Sequence, residues 1–176
     1  MTTEAPVASP LPRWILLDRD GVINRDSPHY IRSASEWQPL PGSIEAMARL
    51  YHHNHRLLVI TNQSGVGRGY YPRKELFAMH RKLSRLLAAE GAQVEALYYC
   101  PHLPGDGCDC RKPLPGMIRR AMSCFHFLAD QALLIGDSKR DISAASAAGV
   151  AAVRVGPEGE YVSLSRCIDH LLGDRQ

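Results

Sequence analysis

Two carboxylates, Asp18 and Asp20 in the run Asp18-Arg19-Asp20-Gly21, stand directly after the short apolar stretch Trp14–Leu17. Such a pair can divide labour. One member attacks an electrophile, and the other carries a proton to and from the leaving oxygen. Thr61 follows the apolar run Leu57–Ile60 and offers a hydroxyl. Asp137 follows Ala132–Gly136 and offers a third acid, and Lys112 offers a cation. This set meets the demands of phosphate monoester hydrolysis. Those esters are among the slowest to hydrolyse unaided, and the anionic phosphoryl group repels an anionic nucleophile. Asp18 is placed to attack phosphorus, and Asp20 to protonate the leaving alkoxide and later activate water. Asp137 can help hold Mg²⁺, which takes carboxylate and carbonyl oxygens. Lys112 can neutralise the transferring group, and Thr61 can donate to it.

Taken singly, each residue also has a plain structural reading. Asp-x-Asp-Gly is a common turn or calcium-loop fragment. A threonine after a strand can be a β-branched residue, a lysine a solvated charge, and Gly136-Asp137-Ser138 a helix cap. The combination carries the chemistry, because acids and hydroxyl all follow buried strands.

A second constellation lies at Cys100-Pro-His102 and Cys108-Asp-Cys110. Three thiols and an imidazole are the ligand set of a closed tetrahedral zinc site, and four protein ligands leave no position for a reacting water. The spacing therefore predicts a structural Zn²⁺; reduced thiols beside a chance histidine are the alternative. The remaining cysteines, Cys124 and Cys167, fall in helical patterns and read as core. His52, His53 and His55 read as solvated or helix-end residues. Five cysteines and no secretory signal argue against a disulfide framework.

These residues need a scaffold that gathers them. Apolar runs at 14–17, 57–60, 94–99, 132–135 and 150–155 read as strands, with helices at 43–51, 73–90, about 115–127, 138–148 and 162–172 between and after them. Ser43 reads as a helix N-cap, Gly91 and Gly149 as helix ends, and Gly65, Gly67 and Gly69 as a flexible loop. Alternating strands and helices imply an α/β fold, a parallel sheet covered on both faces. Ligands then sit at the C-terminal strand ends. Residues 1–12 read as a disordered lead and 13–176 as one domain. A net charge of +3 suits an anionic substrate without the basic excess of a nucleic-acid binder, and aromatics are only 7%. A DNA-end phosphatase is thereby disfavoured. No apolar run is long enough to span a bilayer, and a cytoplasmic monomer without membrane partner is expected. A non-enzymatic zinc module would leave Asp18, Asp20, Thr61 and Asp137 unexplained.

The order acid pair, threonine, lysine and Gly-Asp resembles the four motifs of the haloacid dehalogenase-like (HAD) phosphohydrolases: Asp18-x-Asp20-Gly-Val, Thr61, Lys112, and Gly136-Asp137 with Asp141. The resemblance covers the chain from about Trp14 to Val155. It implies a Rossmann-like sheet, an aspartyl-phosphate on Asp18 and Asp20 as general acid/base. It also implies Mg²⁺ held by Asp18, the Asp20 carbonyl and Asp137, with Asp141 orienting the site.

A cysteine loop between the second and third motifs is similar to that of two HAD families, the heptose-bisphosphate phosphatases and the histidinol-phosphate phosphatases. Asp18-Arg-Asp-Gly-Val-Ile-Asn24, Leu40-Pro-Gly-Ser43 and Thr61-Asn-Gln-Ser-Gly-Val-Gly-Arg-Gly69 look like the former, and the latter tend to carry Asp where Ser64 stands. That resemblance implies hydrolysis of the C7 phosphate of a small sugar bisphosphate, a step toward nucleotide-activated heptose for lipopolysaccharide core or other surface glycans. Substrate contacts are expected at Asp26, Ser27, His29, Asn62, Gln63, Ser64 and Arg68, with Arg111 on the second phosphate. Only short loops interrupt the core, so no large cap domain is expected. Zinc is expected to fix the cysteine loop so that Arg111 and Lys112 face the site.

Overall fold

The computed structural model describes residues 11–173. Most of the proposed N-terminal lead lies outside the described residues. Five strands form one parallel sheet: β1 (Trp14–Leu17), β2 (Arg56–Asn62), β3 (Ala96–Cys100), β4 (Ala132–Gly136) and β5 (Ala151–Arg154), in the order β3-β2-β1-β4-β5. The helices are α1 (Ser43–His52), α2 (Ser64–Gly67), α3 (Arg73–Ala89), α4 (Gly116–Phe125), α5 (Lys139–Ala148) and α6 (Leu164–Leu171).

The period-2 alternation of a strand splits β1 between two cores. Ile15 and Leu17 pack with α1, α3 and α6 through residues such as Met47, Leu76, Leu83 and Ile168. Trp14 and Leu16 pack on the opposite face with Met117 and Ile118 of α4 and with Ala144 and Ala145 of α5. Both faces are covered, which is why the central strands read as unbroken apolar runs. Each fully buried Leu or Ile contributes roughly 1.5–3 kcal/mol. The sheet that carries the site is therefore its most strongly held part.

Three elements differ from the sequence reading. Ser43 is the first helical residue rather than the cap. Gly42, at φ 76°, takes the cap position, and the Ser43 hydroxyl donates to the Ile23 carbonyl at 2.6 Å. The glycine-rich stretch after β2 is not wholly loop: Ser64–Gly67 wind into one helical turn, with Arg68 N–H donating to the Ser64 carbonyl at 2.9 Å. Here tertiary contact overrides glycine's weak helix propensity. A Cβ on Gly67 would meet the Pro101 carbonyl at 2.2 Å, so the turn packs where only glycine fits. Cys124, expected in the core, is exposed, while Cys167 is buried as expected.

Strand order sets the site. β1 is flanked by β2 on one side and β4 on the other, with Leu17 in register with Val59 and Ile135. The connection from β1 runs to β2 and that from β4 runs to β5, in opposite directions along the sheet, so a crevice opens between the C-terminal ends of β1 and β4. Asp18 and Asp137 stand at those two ends. No helix among the described residues is long and apolar enough to cross a membrane.

Candidate active site

At that rim lies a cavity of about 330 Å³. Asp18, Asp20, Thr61, Lys112 and Asp137 all line it, and so do Asp26, Ser27, Asn62, Gln63, Ser64, Arg68 and Arg111. His29 does not. It is exposed, and its neighbours Pro28 and Tyr30 face the cavity instead. Tyr30 adopts φ 64°, a local reversal that the sequence pattern does not announce.

Asp18 is buried and fixed through one oxygen. Its Oδ1 accepts from the Arg19 backbone N–H at 2.7 Å and pairs with Lys112 Nζ at 2.8 Å. Both contacts fall on Oδ1, and Asp18 lines the cavity. Burial, with help from the Asp141 charge, pushes the Asp18 carboxyl up to about 7 despite Lys112. Burial and Asp141 likewise push Asp137 up to about 6. Acids held this way hold their charge poorly until a cation joins them.

Lys112 is itself 3% exposed. Its ammonium donates to the Ile60 carbonyl at 2.8 Å and pairs with Asp141 Oδ1 at 2.6 Å. Burial alone would depress it, but the two carboxylates outweigh burial and hold it above 10.5. Asn62 clasps its backbone reciprocally: Lys112 N–H donates to Asn62 Oδ1, and Asn62 Nδ2 donates to the Lys112 carbonyl, both at 3.0 Å. That clasp ties the cysteine loop to the end of β2.

Oxygens of Asp18, Asp137 and Asp141 lie within 4.8 Å of one another. Asp141 is already committed, to Lys112 through Oδ1 and to the Ser138 N–H and hydroxyl through Oδ2 at 3.0 and 2.7 Å. Asp18 and Asp137 remain as donors. A Cβ on Gly21 would strike Asp137 Oδ2 at 2.0 Å, so Asp137 reaches across the backbone immediately after Asp20. Two carboxylates and a nearby main chain make an oxygen-rich seat of the kind magnesium prefers.

Asp20 points into a clamp. Arg19 reaches its Oδ1 from Nη2 at 2.7 Å and its Oδ2 at 3.0 Å, Asn24 Nδ2 donates at 2.9 Å, and Gln63 Nε2 at 2.7 Å. Arg19 is 1% exposed, and its place between the two acids is the only sequence signal it gives. Tyr71, Ser138 and Arg140 also line the cavity without having been singled out. Tyr71 and Arg140 belong to no motif.

The second constellation is equally compact. Cys100 Sγ lies 3.3 Å from Cys110 Sγ and 3.8 Å from Cys108 Sγ, and His102 Nδ1 lies 3.2 Å from Cys110 Sγ. Tetrahedral ligands at Zn–S ≈ 2.3 Å would be about 3.7 Å apart, so the four donors fit one such ion. Arg111 Nη1 donates to the His102 carbonyl at 3.0 Å, which couples this cluster to the cavity wall.

Comparison with known proteins bears on the same site. A family model described as HAD-hydrolase-like matches residues 109–160. D-glycero-β-D-manno-heptose-1,7-bisphosphate 7-phosphatase of Pseudomonas putida is 48% identical over 143 residues, 81% of this chain and 82% of that relative. The chain belongs to the heptose-bisphosphate phosphatase family. The Neisseria meningitidis serogroup A member is 44% identical over 137 residues, 78% of this chain and 73% of that relative. A crystal structure of the D,D-heptose 1,7-bisphosphate phosphatase from B. bronchiseptica, complexed with magnesium and phosphate, superposes with a TM-score of 0.86 at 40% identity, covering 93% of this chain and 99% of that one. Membership in the heptose-bisphosphate phosphatases makes this chain a HAD phosphatase. It carries a five-stranded parallel sheet, and no separate cap covers the cavity among the described residues.

Proposed function

We propose that this chain removes the C7 phosphate from D-glycero-β-D-manno-heptose 1,7-bisphosphate, giving heptose 1-phosphate, a step toward nucleotide-activated heptose. The observation that carries the reading is the setting of Asp18: one oxygen tied down by Lys112 and the Arg19 amide, with Asp137 beside it at the sheet's switch point. Asp18, the Asp20 carbonyl and Asp137 would hold Mg²⁺, which lowers the charge on the phosphoryl oxygens as attack proceeds.

In the first step Asp18 Oδ2 forms a bond to phosphorus as the bond from phosphorus to O7 breaks. Asp20 delivers its proton to O7, and the sugar leaves as an alcohol. In the second, Asp20 takes a proton from water, whose oxygen attacks phosphorus. The acyl phosphate bond breaks and returns Asp18 as a carboxylate with inorganic phosphate. Lys112 and the Thr61 hydroxyl face the transferring group throughout. Asp26, Ser27, Asn62, Ser64 and Arg68 bound the sugar side, and Arg111 is placed for the second phosphate. His29, turned to solvent, has no such contact with the cavity wall. Cys100, His102, Cys108 and Cys110 would hold a structural Zn²⁺, whose chemistry there is to pin the loop bearing Arg111 and Lys112.

The test compares Mg²⁺-dependent phosphate release from heptose 1,7-bisphosphate and from histidinol phosphate on one preparation. Preference for the bisphosphate is expected, and preference for histidinol phosphate would overturn the substrate assignment. Asp18→Asn is expected to abolish turnover with its melting temperature nearly unchanged.

A further inference from the structure

Gln63 stands next to the substrate side of the cavity, yet its amide is used up internally. It is 3% exposed. Its Nε2 donates both hydrogens, to Asp20 Oδ2 at 2.7 Å and to Thr61 Oγ1 at 2.9 Å. Its Oε1 accepts from the Tyr71 hydroxyl at 2.6 Å. A carboxamide has two N–H donors and one carbonyl, so no donor is left for a sugar hydroxyl.

We infer that Tyr71 and Gln63 act as a positioning pair that sets the direction of hydrogen bonding at both Asp20 and Thr61, so that Gln63 serves the reaction's proton carrier rather than the substrate. This rests on the phosphatase reading above. The direction follows from the chemistry of each group. Turned the other way, the Gln63 carbonyl would face the Asp20 carboxylate, acceptor against acceptor. With Tyr71 donating into Oε1, the nitrogen must face the acid. Thr61 then receives a hydrogen at its oxygen, and its own hydroxyl proton is left to point at the phosphoryl group. Asp20 Oδ2 accepts from Gln63 as well as from Arg19, while Oδ1 accepts from Arg19 and Asn24, and together these bonds fix the carboxylate that must meet O7.

The backbone is cut to admit Tyr71. A Cβ on Gly65 would collide with Tyr71 Cε1 and crowd the Tyr30 ring, so the helical turn after β2 packs closely against both rings. Burial also pushes the Tyr71 hydroxyl up to about 12, which keeps it a donor. Tyr71 touches no reacting atom; it acts through Gln63.

The experiment uses two esters that differ in their need for a proton. The sugar is a poor leaving group unless Asp20 protonates O7, whereas 4-nitrophenyl phosphate releases a stable phenolate that needs no proton. kcat/KM reports the first step alone for both. Tyr71→Phe keeps the ring and removes the hydroxyl; Gln63→Met keeps the volume and removes the amide. On heptose 1,7-bisphosphate kcat/KM is expected to fall about 10-fold in the first and about 100-fold in the second, a partial loss of the roughly 10²–10⁴-fold that general acid–base catalysis contributes. The losses on 4-nitrophenyl phosphate are expected to be smaller by about 10-fold. Equal losses on the two esters in folded variants would reduce the pair to packing and overturn the inference. Melting curves establish folding, and Tyr71→Phe decides the matter if Gln63→Met does not fold. A wild-type chain inactive on both esters would sink the phosphatase reading itself, and the pair's role with it. An active wild type with equal losses sinks only the pair.

Discussion

Lys112 Nζ lies 2.8 Å from Asp18 Oδ1, and the same ammonium holds Asp141 at 2.6 Å. One buried cation is thus shared by Asp18 and the acid behind it. Lys112→Met keeps the stem and removes the charge, leaving two buried carboxylates with hydrogen-bond donors but no cation. The expected cost is about 3–5 kcal/mol of stability near neutral pH, smaller in acid, where both carboxyls take up protons. Turnover is expected to fall by about 10²–10³-fold, the range for losing one electrostatic stabiliser. Denaturant unfolding at two pH values checks the first number. A variant as stable as wild type would mean that the ion pair contributes little.

Metal binding is expected to be linked to pH through Asp18, raised to about 7, and Asp137, raised to about 6. An acid with a raised pKa binds its proton more tightly folded than unfolded. The metal-free protein therefore loses stability from these groups as pH rises from about 4 toward 7. Mg²⁺ binds the deprotonated pair, so its stabilising effect grows over the same interval. The rise in melting temperature on adding saturating Mg²⁺ should be clearly larger near pH 8 than near pH 5.5. Asp137→Asn should remove that difference and stabilise the metal-free chain near pH 8 by on the order of 1 kcal/mol, solvent screening allowed for. Equal Mg²⁺ shifts at both pH values would contradict this account.

Zinc removal is expected to act on the active site through the loop. Arg111 bonds the His102 carbonyl, and Lys112 follows it directly. Metal analysis should find about one zinc per chain. Stripping it should lower melting temperature and kcat together, and Cys110→Ser should do the same. A zinc-free chain with unchanged melting and unchanged turnover would disconnect the loop from the site.

Arg111→Ala should separate bisphosphate from monophosphate. Losing a charge-assisted contact to the second phosphate costs about 1.5–3 kcal/mol. The expected fall in kcat/KM on heptose 1,7-bisphosphate is then about 10–100-fold, against less than about 3-fold on heptose 7-phosphate. Steady-state kinetics on both esters checks it, and equal losses would take Arg111 out of substrate recognition.

Asp18, Thr61 and Asp137 are legible in sequence because each follows an unbroken apolar run, and a strand buried on both faces has no other way to be written. The parallel sheet covered on both faces follows from the alternation of strands and helices, and the absence of a cap from the short loops; the strand order comes from the structure. The cysteine cluster is legible from spacing alone. Gln63 and Asn62 are not, because nothing in residue type tells an amide that meets a sugar from one that braces Asp20 or clasps Lys112. Arg19 draws no reading of its own from the sequence; the fold buries it against Met79 and Asp20. Within the loop that holds both, Tyr30 lines the cavity at a positive φ and His29 does not line it. The turn at Ser64–Gly67 and the exposure of Cys124 depend on neighbours far along the chain, which local pattern cannot carry.

Thr61 lies inside β2, in register with Tyr99, and Lys112 is anchored on the carbonyl of Ile60 one residue before it. The Thr61 hydroxyl and the buried cation are thus hung on the hydrogen-bond ladder of an interior strand. They cannot drift while that ladder holds, so heat inactivation and melting of the sheet become a single event. Catalytic precision in this molecule has the durability of its framework, while the surrounding loops stay free to diverge.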